Sequence, residues 1–172
     1  MDRQDSEVVI RSLQEEDIPA LLRSFVEQGW TKPQQVLEGY LLGQSRGELA
    51  VLTAEFQKQA AGYAVLYPHA RHGPFAEQKL PEISDFIVFI KFQHRGIGGK
   101  ILDAAEKQAA RLCDRVSLGV GLHAGYGTAQ RLYIKRGYVP DGSGVWYRDK
   151  PLPQYADCRN DDDLVLYLSK QL

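Results

Sequence analysis

Cysteine is scarce in this chain: there are 2 among 172 residues, Cys113 and Cys158. Two thiols this far apart make no disulfide framework, so a small disulfide-stapled scaffold is excluded and a reduced, cytoplasmic setting is the expectation. Long apolar runs are lacking as well, and none approaches the roughly 18 residues of a membrane span. The opening stretch MDRQDSEVVI is acidic and polar, which is unlike a secretory signal peptide. Nor is there a surplus of positive charge. With 21 basic and 22 acidic residues the formal net charge is −1, so a nucleic-acid partner is not expected. Internal repeats, linkers and low-complexity segments are missing too. What is present is an apolar fraction of 44%. That is enough for a real core, and the expectation is a single domain over residues 1–172.

The apolar spacing predicts the elements. Residues 7–13 read as a strand with Val8 and Ile10 on one face. Residues 15–28 read as a helix with Asp17 as its cap, Pro19 in its first turn, and a stripe of Ile18, Leu21, Leu22 and Phe25. A second helix is predicted over 31–44, started by Thr31 and Pro33 and ended near Gly43. ELAVLTAEF and QAAGYAVLYPH, separated by a polar QKQ, read as an antiparallel hairpin. Residues 70–82 hold two prolines and take no assignment. ISDFIVFI (83–90) is nearly all apolar and is predicted to be a central strand covered on both faces. Beyond it come a helix, a strand (115–122), a helix (128–136) stopped by Gly137, and two closing strands. The pattern is mixed α/β.

The stretch QHRGIGGKIL (93–102) places Gly96, Gly98 and Gly99 between that apolar strand and the following helix. Glycine weakens a helix entrance, so bare backbone must serve a purpose there. Unpaired N–H groups at a helix start, with the helix dipole behind them, form an anion site, and glycine lets a phosphate approach. The ATP-binding pattern G-x-x-x-x-G-K-[ST] fails, because Lys100 is followed by Ile101. The dinucleotide pattern G-x-G-x-x-G/A fails here as well, though it matches GVGLHA (119–124) with Asp141 about 20 residues further on. An NAD-dependent oxidoreductase is therefore a rival reading.

Gln93-His94-Arg95-Gly96-Ile97-Gly98 after the strand DFIVFI resembles motif A of the GNAT superfamily of acetyl-CoA-dependent N-acetyltransferases. Downstream, TAQRLYIKRGY (128–138) is similar to that family's second block, through Ala129, Leu132, Tyr133, Gly137 and Tyr138. The resemblance covers residues 80–140 by motif and the first 70 residues only by element order. It implies a GNAT fold, with a mixed central sheet of about seven strands and about four helices, splayed between 83–90 and 115–122. It implies acetyl-CoA as cosubstrate and no metal. The CoA pyrophosphate would lie on the N–H groups of His94, Arg95, Gly96, Ile97, Gly98 and Gly99. The pantetheine arm would pair with the backbone of Phe86, Ile87 and Val88. An asparagine common in the family aligns with Tyr126, which makes Tyr126 a further cofactor-binding candidate.

The implied activity is acetyl transfer to a primary amine by direct attack in a ternary complex. The amine must lose a proton, and the departing thiolate must gain one. Tyr133 aligns with the family's general acid. Many relatives carry a glutamate where this chain has Gly121. His123, two residues further along an extended strand, faces the same side and titrates near neutral pH, so it is the candidate base. Asp85, Glu82 and a water chain are alternatives. The departures at Gly121 and Tyr126 favour a second reading, a non-catalytic CoA-binding module. His69 and His72 have H-x-x-H spacing without further clustered ligands. The acceptor is a small-molecule amine or a protein amine, and a homodimer is an open expectation. Trp30, Tyr40, Phe75, Trp146, Tyr147 and Tyr155 can line the acceptor pocket or simply pack.

Overall fold

A computed structural model describes residues 8–172. Glu7, the first residue of the predicted opening strand, lies outside them. The strands of residues 8–67 and 82–88 are hydrogen-bonded in the order Val9–Ser12, Ala50–Phe56, Gln59–Tyr67, Glu82–Val88, and those of the later residues in the order Arg115–Gly121, Leu164–Gln171, Val139–Tyr147, Lys150–Pro151. By contact the chain divides into two compact units, residues 8–67 with Ser84–Gln108, and Pro68–Ile83 with Ala109–Leu172.

The first unit carries β1 (Val9–Ser12), α1 (Asp17–Glu27), α2 (Gln34–Ser45), β2 (Ala50–Phe56), β3 (Gln59–Tyr67), most of β4 (Glu82–Val88) and α3 (Ile97–Ala109). β2 and β3 form the expected hairpin, closed by Gln57 and Lys58 at φ 51° and 59°. Such a pair of left-handed residues suits the twist of a two-residue hairpin turn. Leu21, Leu37, Val51, Tyr63, Val65, Ile101 and Leu102 are buried, and Phe25 meets Phe89 edge-on with centroids 5.0 Å apart.

Asp17 does not cap α1, which begins at Asp17 itself with no side-chain cap. Its buried carboxylate instead accepts two bonds from Arg11, at 2.7 and 2.8 Å, and one from the Gln14 N–H at 2.9 Å. α2 starts at Gln34, because Pro33 holds an extended backbone at ψ 131°. It runs on through Gly43, where a Cβ would stand 2.9 Å from the Leu49 side chain.

The second unit carries the start of β4, then β5 (Arg115–Gly121), α4 (Gly127–Lys135), β6 (Val139–Tyr147), β7 (Lys150–Pro151) and β8 (Leu164–Gln171). The two-residue β7 makes the eighth strand where the sequence predicted seven. β4 and β5 are parallel, and their ladder holds two pairs, Glu82↔Ser117 and Ile83↔Leu118. It stops where the splay was expected. The unassigned 70–82 segment is a turn-rich loop whose Phe75 and Leu80 pack with Ala70 and Tyr167. Trp146 and Cys113 lean on the same cluster.

Candidate active site

In the first unit β4 departs from the fully covered strand that its apolar sequence suggested. Ser84 to Val88 are half-buried, so one of the most apolar stretches of the chain is not fully covered. β3 reaches β4 unusually closely. A Cβ on Gly62 would lie 2.3 Å from the Ile87 carbonyl oxygen and 2.9 Å from the Val88 Cα, and the Phe89 N–H bonds the Ala61 carbonyl at 3.0 Å. Nothing in the spacing of QAAGYAVLY announced that role for Gly62.

Past Val88 the chain makes a short 3-10 turn, Ile90–Phe92. The Gln93 side-chain amide donates to the Val88 carbonyl at 3.0 Å. His94 (φ 61°) and Gly96 (φ 75°) are both left-handed, and alternation of this kind turns backbone N–H groups toward a common concavity. Ile97, buried, anchors the loop. The first intrahelical bond of α3 runs from the Lys100 N–H to the Gly96 carbonyl, so the N–H groups of Ile97, Gly98 and Gly99 precede the helical ladder. A Cβ on Gly96 would touch nothing within 4 Å. Gly96 is therefore glycine for its φ, not for a close internal neighbour. The Arg95 guanidinium lies over the Phe56 ring, 5.4 Å from its centroid, and His94, Arg95 and Lys100 are exposed. Ser24, Glu27, Gln28, Phe89, Ile90 and Lys91 line an open cleft of about 400 Å³.

Asp85, on β4, accepts three hydrogen bonds at Oδ2, from Lys32 Nζ (2.6 Å), the Tyr63 hydroxyl (2.8 Å) and the Tyr40 hydroxyl (2.9 Å). Burial, and then the Asp85 charge, push the Tyr63 phenol far above the ordinary tyrosine range.

In the second unit, the glycines of GVGLHA are not a phosphate loop. Gly119 and Gly121 lie within β5, paired with Tyr167 and Val165 on β8. A Cβ on Gly121 would stand 2.3 Å from the Tyr126 ring, so Gly121 makes room for Tyr126. The Tyr126 hydroxyl bonds Asp162 at 2.9 Å, and His123 Nε2 lies 3.1 Å from the same Oδ1. The Gly125 N–H donates to His123 Nδ1 at 3.1 Å. Both ring nitrogens are thus engaged, and His123 caps the turn that leads into α4. His123 and then Tyr126 hold the Asp162 carboxyl below the usual carboxylate range. Nothing in the run DDD pointed to Asp162 joining these two.

Tyr133 sits on α4, buried, with its ring 5.7 Å from that of Tyr138. Burial pushes its phenol above the ordinary range. Glu82 opens β4, buried, and accepts the Arg71 N–H at 3.0 Å. Burial raises its carboxyl pKa. Of the aromatics considered for an acceptor pocket, Tyr40 is tied to Asp85, Phe75 and Trp146 pack with Tyr167, and Tyr155 is 94% exposed. His69 and His72 bond Lys79 and Asp149. Among the described residues no group of three or more His, Cys, Asp or Glu side chains is arranged to hold a metal ion, and no helix is long and apolar enough to cross a membrane.

Solved structures share this fold. An acetyl transferase from Salmonella typhimurium that modifies the N-terminal serine of the 50S ribosomal protein L7/L12 superposes with a TM-score of 0.71 at 15% identity, covering 96% of this chain and 95% of that one. A ribosomal-protein-alanine N-acetyltransferase from Brucella melitensis gives 0.68 at 22% identity, over 95% and 99%. The Salmonella typhimurium protein YncA, determined with its cofactor acetyl-CoA, gives 0.66 at 18% identity, over 95% and 93%. No curated protein matches the chain by sequence. The family model for the Acetyltransferase (GNAT) family matches residues 13–138. That span holds both sequence blocks, the left-handed turn before α3 and the interrupted β4–β5 ladder, and the chain belongs to the GNAT acetyltransferase family.

Proposed function

We propose that this protein transfers the acetyl group of acetyl-CoA to a primary amine, in a ternary complex and without a metal. The observation that carries the reading is the turn at His94–Gly99, where two left-handed residues and a glycine-rich helix start follow the half-buried residues of β4. A pyrophosphate is suited to the N–H groups of that turn, and an amide-rich arm to the β4 backbone. Relatives of the same fold include one determined with acetyl-CoA and two ribosomal-protein acetyltransferases. The acceptor amine accordingly belongs to a small molecule or to a protein.

Acetyl-CoA, when bound, supplies the activated thioester. Glu82 is assigned the proton of the attacking amine, for which a buried carboxylate with a raised pKa is better matched than an exposed one. As the new C–N bond forms and the C–S bond breaks, Tyr133 gives its phenolic proton to the departing sulfur. His123 is assigned to the turn rather than to the reaction, because its two nitrogens are already bonded. The test is release of free CoA thiol from acetyl-CoA across a panel of small amines and N-terminal peptides. Thiol release that depends on an amine, with the acetylated amine found by mass spectrometry, supports transfer. CoA binding without turnover on any amine supports the non-catalytic module instead.

A further inference from the structure

Asp85 holds a backbone conformation that its position in the chain does not explain. Its φ is 44°, inside β4. Every other described non-glycine residue with a positive φ lies in a turn. A left-handed residue within a strand interrupts the pleat, and it persists only where its surroundings over-determine it.

Here the surroundings do so. The three donors on Oδ2 arrive from three pieces of chain: Lys32 from the segment before α2, Tyr40 from α2 and Tyr63 from β3. Lys32 is further steadied over the Phe25 ring, 5.5 Å from its centroid. Tyr63 has no exposed surface. The next three residues are Phe86, Ile87 and Val88, and on their far side the chain is pressed against Gly62. The short β4 edge is therefore gripped before Phe86 by a side-chain clamp and at Ile87 by a backbone contact. The three donors tie the carboxylate to Lys32, Tyr40 and Tyr63, so the role argued for Asp85 is structural and not that of a base.

We propose that Asp85 is a positioning residue for the pantetheine arm of CoA: clamped by Lys32, Tyr40 and Tyr63, it holds β4 in the left-handed kink that aims the peptide groups of Phe86, Ile87 and Val88. This rests on the reading of function given above. Without the clamp the strand relaxes toward an ordinary pleat, and the peptide groups turn away from the arm. The phosphate turn at His94–Gly99 is separate from the clamp and keeps its shape.

The experiment is calorimetric titration of the full chain with two probes, CoA and 3′-phosphoadenosine 5′-diphosphate, its nucleotide half. Asp85→Val cannot hold the kink without strain; it weakens CoA by about tenfold or more while the nucleotide half changes by less than about twofold. Asp85→Gly, which accepts a positive φ without a clamp, recovers a large part of the CoA affinity. If Asp85→Val does not fold, the double variant Lys32→Gln, Tyr63→Phe carries the same test, with the same split between probes. Wild-type CoA affinity in a folded Asp85→Val, equal losses for both probes, or no recovery in Asp85→Gly each overturn the proposal. A wild-type protein that binds its two probes equally tightly overturns it too, while leaving the phosphate turn intact. A wild-type protein that binds neither probe overturns the acetyl-CoA reading itself.

Discussion

The Nε2 atom of His123 lies 3.1 Å from Oδ1 of Asp162, while its Nδ1 accepts the Gly125 N–H. A neutral imidazole has one donor and one acceptor, and this arrangement uses both. His123→Gln is therefore expected to keep kcat within a few-fold and to keep the shape of the pH–rate profile, whereas loss of a general base costs about 10²–10⁴-fold. A loss of that size, together with the disappearance of a low-pH limb, would return the base role to His123.

Tyr133→Phe keeps the buried ring and removes the proton. The expected result is a fall in kcat of about 10²–10⁴-fold, with the KM for acetyl-CoA little changed. Single-turnover kinetics, where chemistry limits the rate, are the appropriate measurement. A variant as fast as wild type reduces Tyr133 to a packing residue beside Tyr138.

Glu82 must be ionised to accept a proton, so activity rises with pH through its titration. Burial places that limb above the ordinary carboxylate range of about 4.3. The effect on stability has the opposite sign. A raised folded-state pKa means that the native protein binds the proton more tightly than the unfolded chain does. Stability therefore declines as pH climbs from the unfolded value through the folded one. Glu82→Gln is expected to lose activity at every pH and to lose that decline in Tm. A variant that retains the rate leaves proton removal to water.

Gly96 has φ 75° with open space around its Cβ position. Gly96→Val strains the turn and places a branched side chain where the phosphate approaches. CoA affinity is expected to fall more than tenfold, about 1.4 kcal/mol. Titration with CoA reads this directly, and unchanged affinity in a folded variant removes the turn from the binding site.

Gly62→Ala forces a methyl group to within 2.3 Å of the Ile87 carbonyl oxygen. Because the obstacle is backbone, β3 and β4 must move apart, with an expected cost of about 1–3 kcal/mol. Gly39→Ala, in α2 with nothing within 4 Å, is the control and is expected to gain up to about 1 kcal/mol. Thermal unfolding compares the two. A Gly62→Ala protein as stable as wild type means that the close approach is not maintained in solution.

What the sequence determined by itself was local or periodic. The hairpin around QKQ, the helix after the glycines and the stop at Gly137 follow from spacing and turn chemistry, which a chain carries in its near neighbours. The same is true of the left-handed turn before α3, since glycine at a helix start marks a backbone position with a positive φ. Tertiary structure decided what depends on partners distant in sequence. Gly121 aligns with a glutamate of many relatives, and only the fold shows that the Tyr126 ring occupies the space a side chain there would need. Asp17 looked like a cap, and became the partner of Arg11. Lys32, Tyr40 and Tyr63 stand 53, 45 and 22 residues from Asp85, and no periodicity links them. An ion pair or a close backbone approach of that kind is set by which elements pack together, and only the folded chain brings those elements within reach.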